Sequence, residues 1–214
     1  MFDSPDISRR LGCGGTLISD RHVLTDIGCV DFDSYPDYVL LGDTVVGLEE
    51  STIKIIQVKR HILHEDPSIN ITILEMAEPV PLDQYPNIKP VCLPNPEADF
   101  ADFEGIVTGW ADIGKNGYNS WLQKVSLTLI KDDKTQISGK IHGNITSCSG
   151  DTGGPLVVSD PANNNGLTLA GVVNDNNCDI IKTFIKVSRL MDWINSIITD
   201  AVICAIPPLM DKRK

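Results

Sequence analysis

Short apolar or β-branched runs separated by Gly, Pro, Asn and Asp dominate this chain of 214 residues. Runs at 16–19, 23–25, 38–42, 53–59, 71–76, 105–110, 122–130, 155–159, 167–173 and 184–187 read as strands. Leu190, Trp193, Ile194, Ile197 and Ile198 instead recur at helical spacing. They predict one closing helix with Ser188 as its cap, the apolar stripe serving as core packing. Asn163-Asn164-Asn165-Gly166 predicts a hairpin turn. The proline-bearing, charged stretch 94–99 predicts a surface connection between two halves. Many short strands and one helix make an all-β chain.

Charge removes several classes of partner. The formal net charge is −11, with acidic residues concentrated in 31–50 and 97–112. Such a surface repels nucleic acid and anionic membranes and reads mainly as a solvated face. No apolar run reaches membrane-spanning length. The opening residues Met1 to Pro5 have neither a basic start nor an apolar stretch, so either the true start is expected upstream or the chain is a fragment or degenerate copy. The six cysteines, Cys13, Cys29, Cys92, Cys148, Cys178 and Cys204, contain no C-x-x-C pair, which disfavours structural zinc. Their even number and wide spacing fit disulfides and an oxidising, extracellular compartment. Asn70-Ile71-Thr72 and Asn144-Ile145-Thr146 are sequons that could carry glycans there.

Five motifs then fall in order. Cys13-Gly14-Gly15-Thr16-Leu17-Ile18-Ser19 with His22-Val23-Leu24-Thr25 comes first. Pro90-Val91-Cys92-Leu93-Pro94 follows, then Val107-Thr108-Gly109-Trp110 with Leu122-Gln123-Lys124-Val125. Cys148-Ser149-Gly150-Asp151-Thr152-Gly153-Gly154-Pro155-Leu156 and Trp193-Ile194 complete the series. Together they resemble the trypsin-like serine protease family. The resemblance implies two packed six-stranded Greek-key β-barrels with a C-terminal α-helix. It places the domain at 11–200, with a first barrel at 11–95, a second at 105–187, the helix at 188–200, and a tail at 201–214.

The same resemblance locates the family's Ser-His-Asp triad, in which His takes the Ser proton and a buried Asp orients the imidazole. At those positions stand Gly28, Asn70 and Thr152. Gly28 offers no base, Asn70 no charge, and the Thr152 methyl restricts its rotamers in a tight turn. His22, His61, His64 and His142 match none of the three positions. Gly150 and Asp151 are remnants of the oxyanion loop. The specificity pocket would be lined by Thr146, by Asn174, Asp175 and Asn176 in place of Ser-Trp-Gly, and by Lys182 in place of a wall glycine. Such a pocket should not hold a basic or apolar anchor. No Ile-Val-Gly-Gly start precedes Cys13, so no new amine is expected to pair with Asp151.

Further implications concern loops and bonds. The resemblance pairs Cys13 with Cys29 and Cys148 with Cys178. It leaves Cys92 to Cys204, to an upstream segment or to another chain. The segment 131–143 is expected as a pruned loop. Near 43–53, Asp43 and Glu50 are acidic but Ile53 replaces an expected carboxylate, so no metal is expected. No cofactor is implied. Asn70 falls where the family is buried, making Asn144 the favoured glycan acceptor. The resulting expectation is a secreted pseudoprotease acting as a binding or regulatory module in a protease cascade or innate defence. Its partner would be a protein: an active protease, a zymogen or an inhibitor. The alternatives are an endopeptidase using Thr152 as nucleophile, or a truncated, non-functional copy.

Overall fold

The computed structural model describes residues 13–30, 37–45, 53–110, 121–142, 151–174 and 181–204. The first half supplies β1 (Thr16–Leu17), β2 (His22–Asp26), β3 (Tyr38–Leu41), β4 (Lys54–Leu63) and β5 (Ile71–Met76). These form an antiparallel sheet in the order β1-β2-β5-β4-β3 among the described residues. The second half supplies β6 (Glu104–Gly109), β7 (Gln123–Asp132), β8 (Gln136–Ile141), β9 (Pro155–Asp160), β10 (Gly166–Val173) and β11 (Ile181–Lys186). They close a six-stranded barrel in the order β10-β11-β8-β7-β6-β9. Within it β9 returns beside β6 after the β6-β7-β8 meander, which is a Greek key.

Burial explains which strands look continuously apolar. All six β5 residues are buried. Ile71 and Ile73 face a core shared with the second half, while Leu74 and Met76 face the interior of the first sheet. A strand covered on both faces loses the polar alternation that marks a half-exposed one. In β10 a register shift between Leu169 and Gly171 changes the phase. Leu169 and Val172 thereby point to the shared core, and Ala170 and Val173 into the barrel. A bulge is needed because strict alternation would put residues three apart on opposite faces.

Two differences from the sequence reading have physical causes. Segment 131–143 is not merely a pruned loop: Gln136–Ile141 forms β8, paired with both β7 and β11. Its alternation is hidden by Gly139, which packs so closely that an added Cβ would overlap Leu127 Cδ1. The Asp133 carboxylate makes the turn, accepting from the N–H groups of Thr135 and Gln136 at 2.9 Å each. The helix α1 (Met191–Ile197) is shorter than expected and begins after a 3-10 turn at Ser188–Leu190. Ser188 does not cap it: the side chain is buried and its hydroxyl donates to the Ala98 carbonyl at 3.5 Å.

Beyond α1 the chain is drawn back to the first sheet. Asp20 N–H donates to the Val202 carbonyl at 2.8 Å, and Val202 N–H donates to Asp20 Oδ1 at 3.1 Å. Cys92 and Cys204 form a disulfide across 112 residues of sequence, which selects among the alternatives left open for Cys92. The Cys92 segment also straddles both halves. Val91 N–H donates to the Leu17 carbonyl at 3.0 Å, and the Cys92 carbonyl accepts from Leu169 at 2.9 Å. The Cys92→Ser, Cys204→Ser double variant should therefore lose about 2–4 kcal/mol of unfolding free energy, read from urea denaturation.

Candidate functional site

The site is built where the end of β2 meets the turn before β9. Asp26 closes β2 and accepts the Gly28 N–H at 2.7 Å, starting a 3-10 turn at Ile27–Cys29. Cys29 is bonded to Cys13, as the family resemblance implied. Ile27 N–H donates to the Asn70 carbonyl at 3.2 Å, which brings the head of β5 beside this turn. Gly14 N–H donates to the Thr152 carbonyl at 2.8 Å, and Cys29 Sγ lies 3.3 Å from the same oxygen. Gly28, Asn70 and Thr152, far apart in sequence, thus share one surface.

The Thr152 turn is fixed from both halves. Gly153 N–H donates to Val173 at 2.7 Å, Val173 N–H to Gly154 at 2.9 Å, and Gly154 N–H to Asp151 at 2.8 Å. Gly153 has φ +82°, and a Cβ there would overlap Thr25 Oγ1 and approach Gly14 O to 2.5 Å. Only glycine meets both demands. Gly28 is the opposite case: it is exposed, and an added Cβ would meet only Asp26 Oδ1, at 3.1 Å.

Asn70 is exposed rather than buried, because it precedes the first residue of β5. It lines a polar cavity of about 350 Å³ with Ser68, Thr135, Gln136, Asn174 and Arg189. Asn174 Oδ1 is buried there without a hydrogen-bond partner among the described residues. Asp151 lines a separate cleft of about 150 Å³ with Gly109, Trp110 and Leu122. Lys182 is the second residue of β11, opposite Gly139, and is 8% exposed. Asp43 is buried and accepts Val45 N–H at 2.8 Å. Asn144, Thr146, Gly150, Asp175, Asn176 and the cysteines Cys148 and Cys178 lie outside the described residues.

The histidines are occupied in other places. His22 stands at the far end of β2 from Asp26 and lies 2.8 Å from Ser19 Oγ through Nδ1. His61 Nε2 lies 2.7 Å from Asp37 Oδ2. The His64 ring tilts against Trp193, with centroids 5.0 Å apart. His142 Nε2 lies 2.7 Å from Thr128 Oγ1. Burial lowers the His22 pKa, chiefly by desolvation, favouring neutral imidazole.

Asp26 is the residue that sequence reasoning passed over. It is buried, and desolvation raises its carboxyl pKa against the opposing Gly28 N–H bond. The available signal was an acidic residue ending an apolar strand just before Ile-Gly, the pattern of a side chain capping a turn.

Over residues 4–194 the sequence matches the family model described as Trypsin. The chain belongs to the trypsin family of serine proteases. It is similar to "Serine protease filzig" of Drosophila melanogaster, 32% identical over 187 residues, 76% of this chain. That alignment spans 11% of filzig. It is also similar to "Trypsin" of Phaedon cochleariae, 33% identical over 211 residues, covering 86% of this chain and 77% of that protein. In this trypsin-family domain the glycine-rich turn at 152–154 is held by the contacts above.

Two predictions follow from this geometry. Gly153→Ala should lose about 1–3 kcal/mol of stability through positive φ and overlap at the turn, measured by chemical denaturation. For Asp26, a folded pKa raised above the unfolded value means stability that is full below the unfolded pKa and lost as pH rises through the folded one. Asn keeps the acceptor for Gly28 N–H without the charge. Asp26→Asn should therefore melt at or above the native temperature at pH 7, with the advantage gone by about pH 3. A lower melting temperature for the variant at pH 7 would contradict this assignment.

Proposed function

We propose that this trypsin-family domain is a non-catalytic homologue that acts as an extracellular binding and regulatory module. The observation that carries the reading is Gly28. Where the family resemblance calls for the imidazole general base, there is an exposed glycine with no side chain. Asn70 supplies no negative charge to orient or stabilise an imidazolium, and Thr152 replaces the serine. Loss of triad members together costs about 10⁶-fold in turnover, so change at all three positions removes this mechanism.

The scaffold is retained while the chemistry is changed, which suits a surface kept for recognition. The disulfides Cys13–Cys29 and Cys92–Cys204 fit an oxidising compartment and support secretion. A protein partner such as an active protease, a zymogen or an inhibitor fits a role in a protease cascade or innate defence.

Covalent labelling with a fluorophosphonate probe tests the reading. The native protein should stay at background beside a Gly28→His, Asn70→Asp, Thr152→Ser triple variant and an active trypsin. A side chain added at Gly28 meets no backbone atom, only Asp26 Oδ1 at 3.1 Å from its Cβ, so the imidazole can be restored with a small shift of the Asp26 carboxylate. Robust native labelling mapped to Thr152 would sink the proposal in favour of a threonine-based hydrolase.

A further inference from the structure

Burial would bar Asn70 from carrying a glycan, yet the residue is exposed. The turn before it sets its position. Asp66 Oδ1 accepts from the Ser68 N–H at 2.9 Å and from the Ser68 hydroxyl at 2.7 Å. The Ile69 N–H donates to the Asp66 carbonyl at 3.1 Å. Glu65, Asp66, Pro67 and Ser68 are all exposed in this turn, and β5 starts only at Ile71. On its other side Asn70 meets the turn at Ile27–Cys29 through the Ile27 N–H. Gly28 brings no side chain over it there.

Asn70-Ile71-Thr72 is an acceptor sequence with no proline at its centre. Thr72 is fully buried, and its hydroxyl donates to the Ile62 carbonyl at 3.2 Å. A transferase can read that hydroxyl only before β5 is docked, so transfer has to precede folding. The folded chain then has to accommodate a bulky polar group, which an exposed asparagine does and a core position does not. Room is present beside it. Asn70 borders the cavity of about 350 Å³ lined also by Ser68, Thr135, Gln136 and Arg189. That volume lies at the low end of small-molecule sites, about 300–1,000 Å³, which suits one sugar rather than a chain of them. The hydroxyl, amide and guanidinium groups around it match sugar hydroxyls and an acetamido carbonyl.

We infer that Asn70 carries an N-linked glycan whose first sugar stands at the mouth of this cavity. The rest of the glycan screens the surface shared by Gly28, Asn70 and Thr152 from macromolecules. The inference rests on the extracellular reading of the preceding subsection. It deepens that reading by closing the face where a substrate would approach, which leaves partner recognition to other surfaces. The donor is a polyprenyl-pyrophosphate-linked oligosaccharide. Asn70 Nδ2 forms a bond to C1 of the first sugar, the C1–O bond breaks, and its electron pair leaves with the pyrophosphate. One amide proton goes to a base of the transferase.

The full chain, sent through a eukaryotic secretory pathway behind a cleavable leader, provides the test. Peptide N-glycosidase in heavy-oxygen water converts a glycosylated Asn into labelled Asp, so peptide mapping reads position 70 directly. Most of the secreted protein should carry the label there. Asn70→Gln should lose the mass of one glycan, and Thr72→Ser should keep it. An unlabelled Asn70 in the secreted native chain overturns the inference whatever the variants do, and so does a label confined to Asn144. For the screening, Gly28→Lys is compared with the Gly28→Lys, Asn70→Gln double variant. The introduced amine should react several-fold more slowly with an amine-reactive polyethylene glycol when the glycan is present, and equal rates overturn the screening role. Fluorophosphonate labelling of Thr152 in the Asn70→Gln protein would remove the non-catalytic reading. Retention of the naturally expressed protein inside cells would remove the extracellular one. Neither changes what the peptide map shows at position 70, so the failures are separable.

Discussion

The constraint on which the structure depends is the apolar core shared by its two halves. Ile18, Leu24, Ile71 and Ile73 from the first sheet pack with Val157, Leu169, Val172 and Ile185 from the barrel. Leu190, Met191, Ile194 and Ile198 of the closing turn and helix complete the cluster. Each fully buried aliphatic side chain contributes about 1.5–3 kcal/mol, so this surface outweighs any single loop contact. It leaves β2 and β5 buried on both faces. It also explains why the β10 bulge is needed: without it Val172 would turn away from the shared core.

That division of labour separates fold from chemistry. Gly14 and Gly153 are fixed by close packing, because a Cβ at either position would collide with backbone atoms. Gly28 is exposed in the turn after β2, and Asn70 is exposed just before β5. Substitution there removes little buried area and breaks no ladder, so a domain can alter its reacting groups while the fold persists. Membership of the trypsin family follows from the match over residues 4–194.

The same distinction accounts for what the sequence revealed. The β-strand pattern, the hairpin at 163–166 and the helical stripe were readable because hydrophobic periodicity reports burial directly. Asn164 and Asn165 adopt φ 50° and 59°, as the Asn-rich turn required. Strand β8 was hidden by Gly139, whose packing role has no hydrophobic signature. The cap by Ser188 failed because a tertiary contact with Ala98 outcompeted a local one. The adjacency of Gly28, Asn70 and Thr152 could be expected only from the family's arrangement. The exposure of Gly28 and Asn70, and the buried carboxylate of Asp26 beside Gly28, are visible only in three dimensions.

Buried charge is where local rules were least informative. Glu75, buried on β5, has its pKa lowered first by the hydrogen bond from Lys59, with Arg60 adding a second contact. Asp132 is matched by Lys186. Each of these buried acids has a cation supplied by another strand. Lys182 lies on the same strand as Lys186, but its partner on β8 is a glycine. A folded chain can retain such an imbalance when the barrel's remaining burial outweighs it.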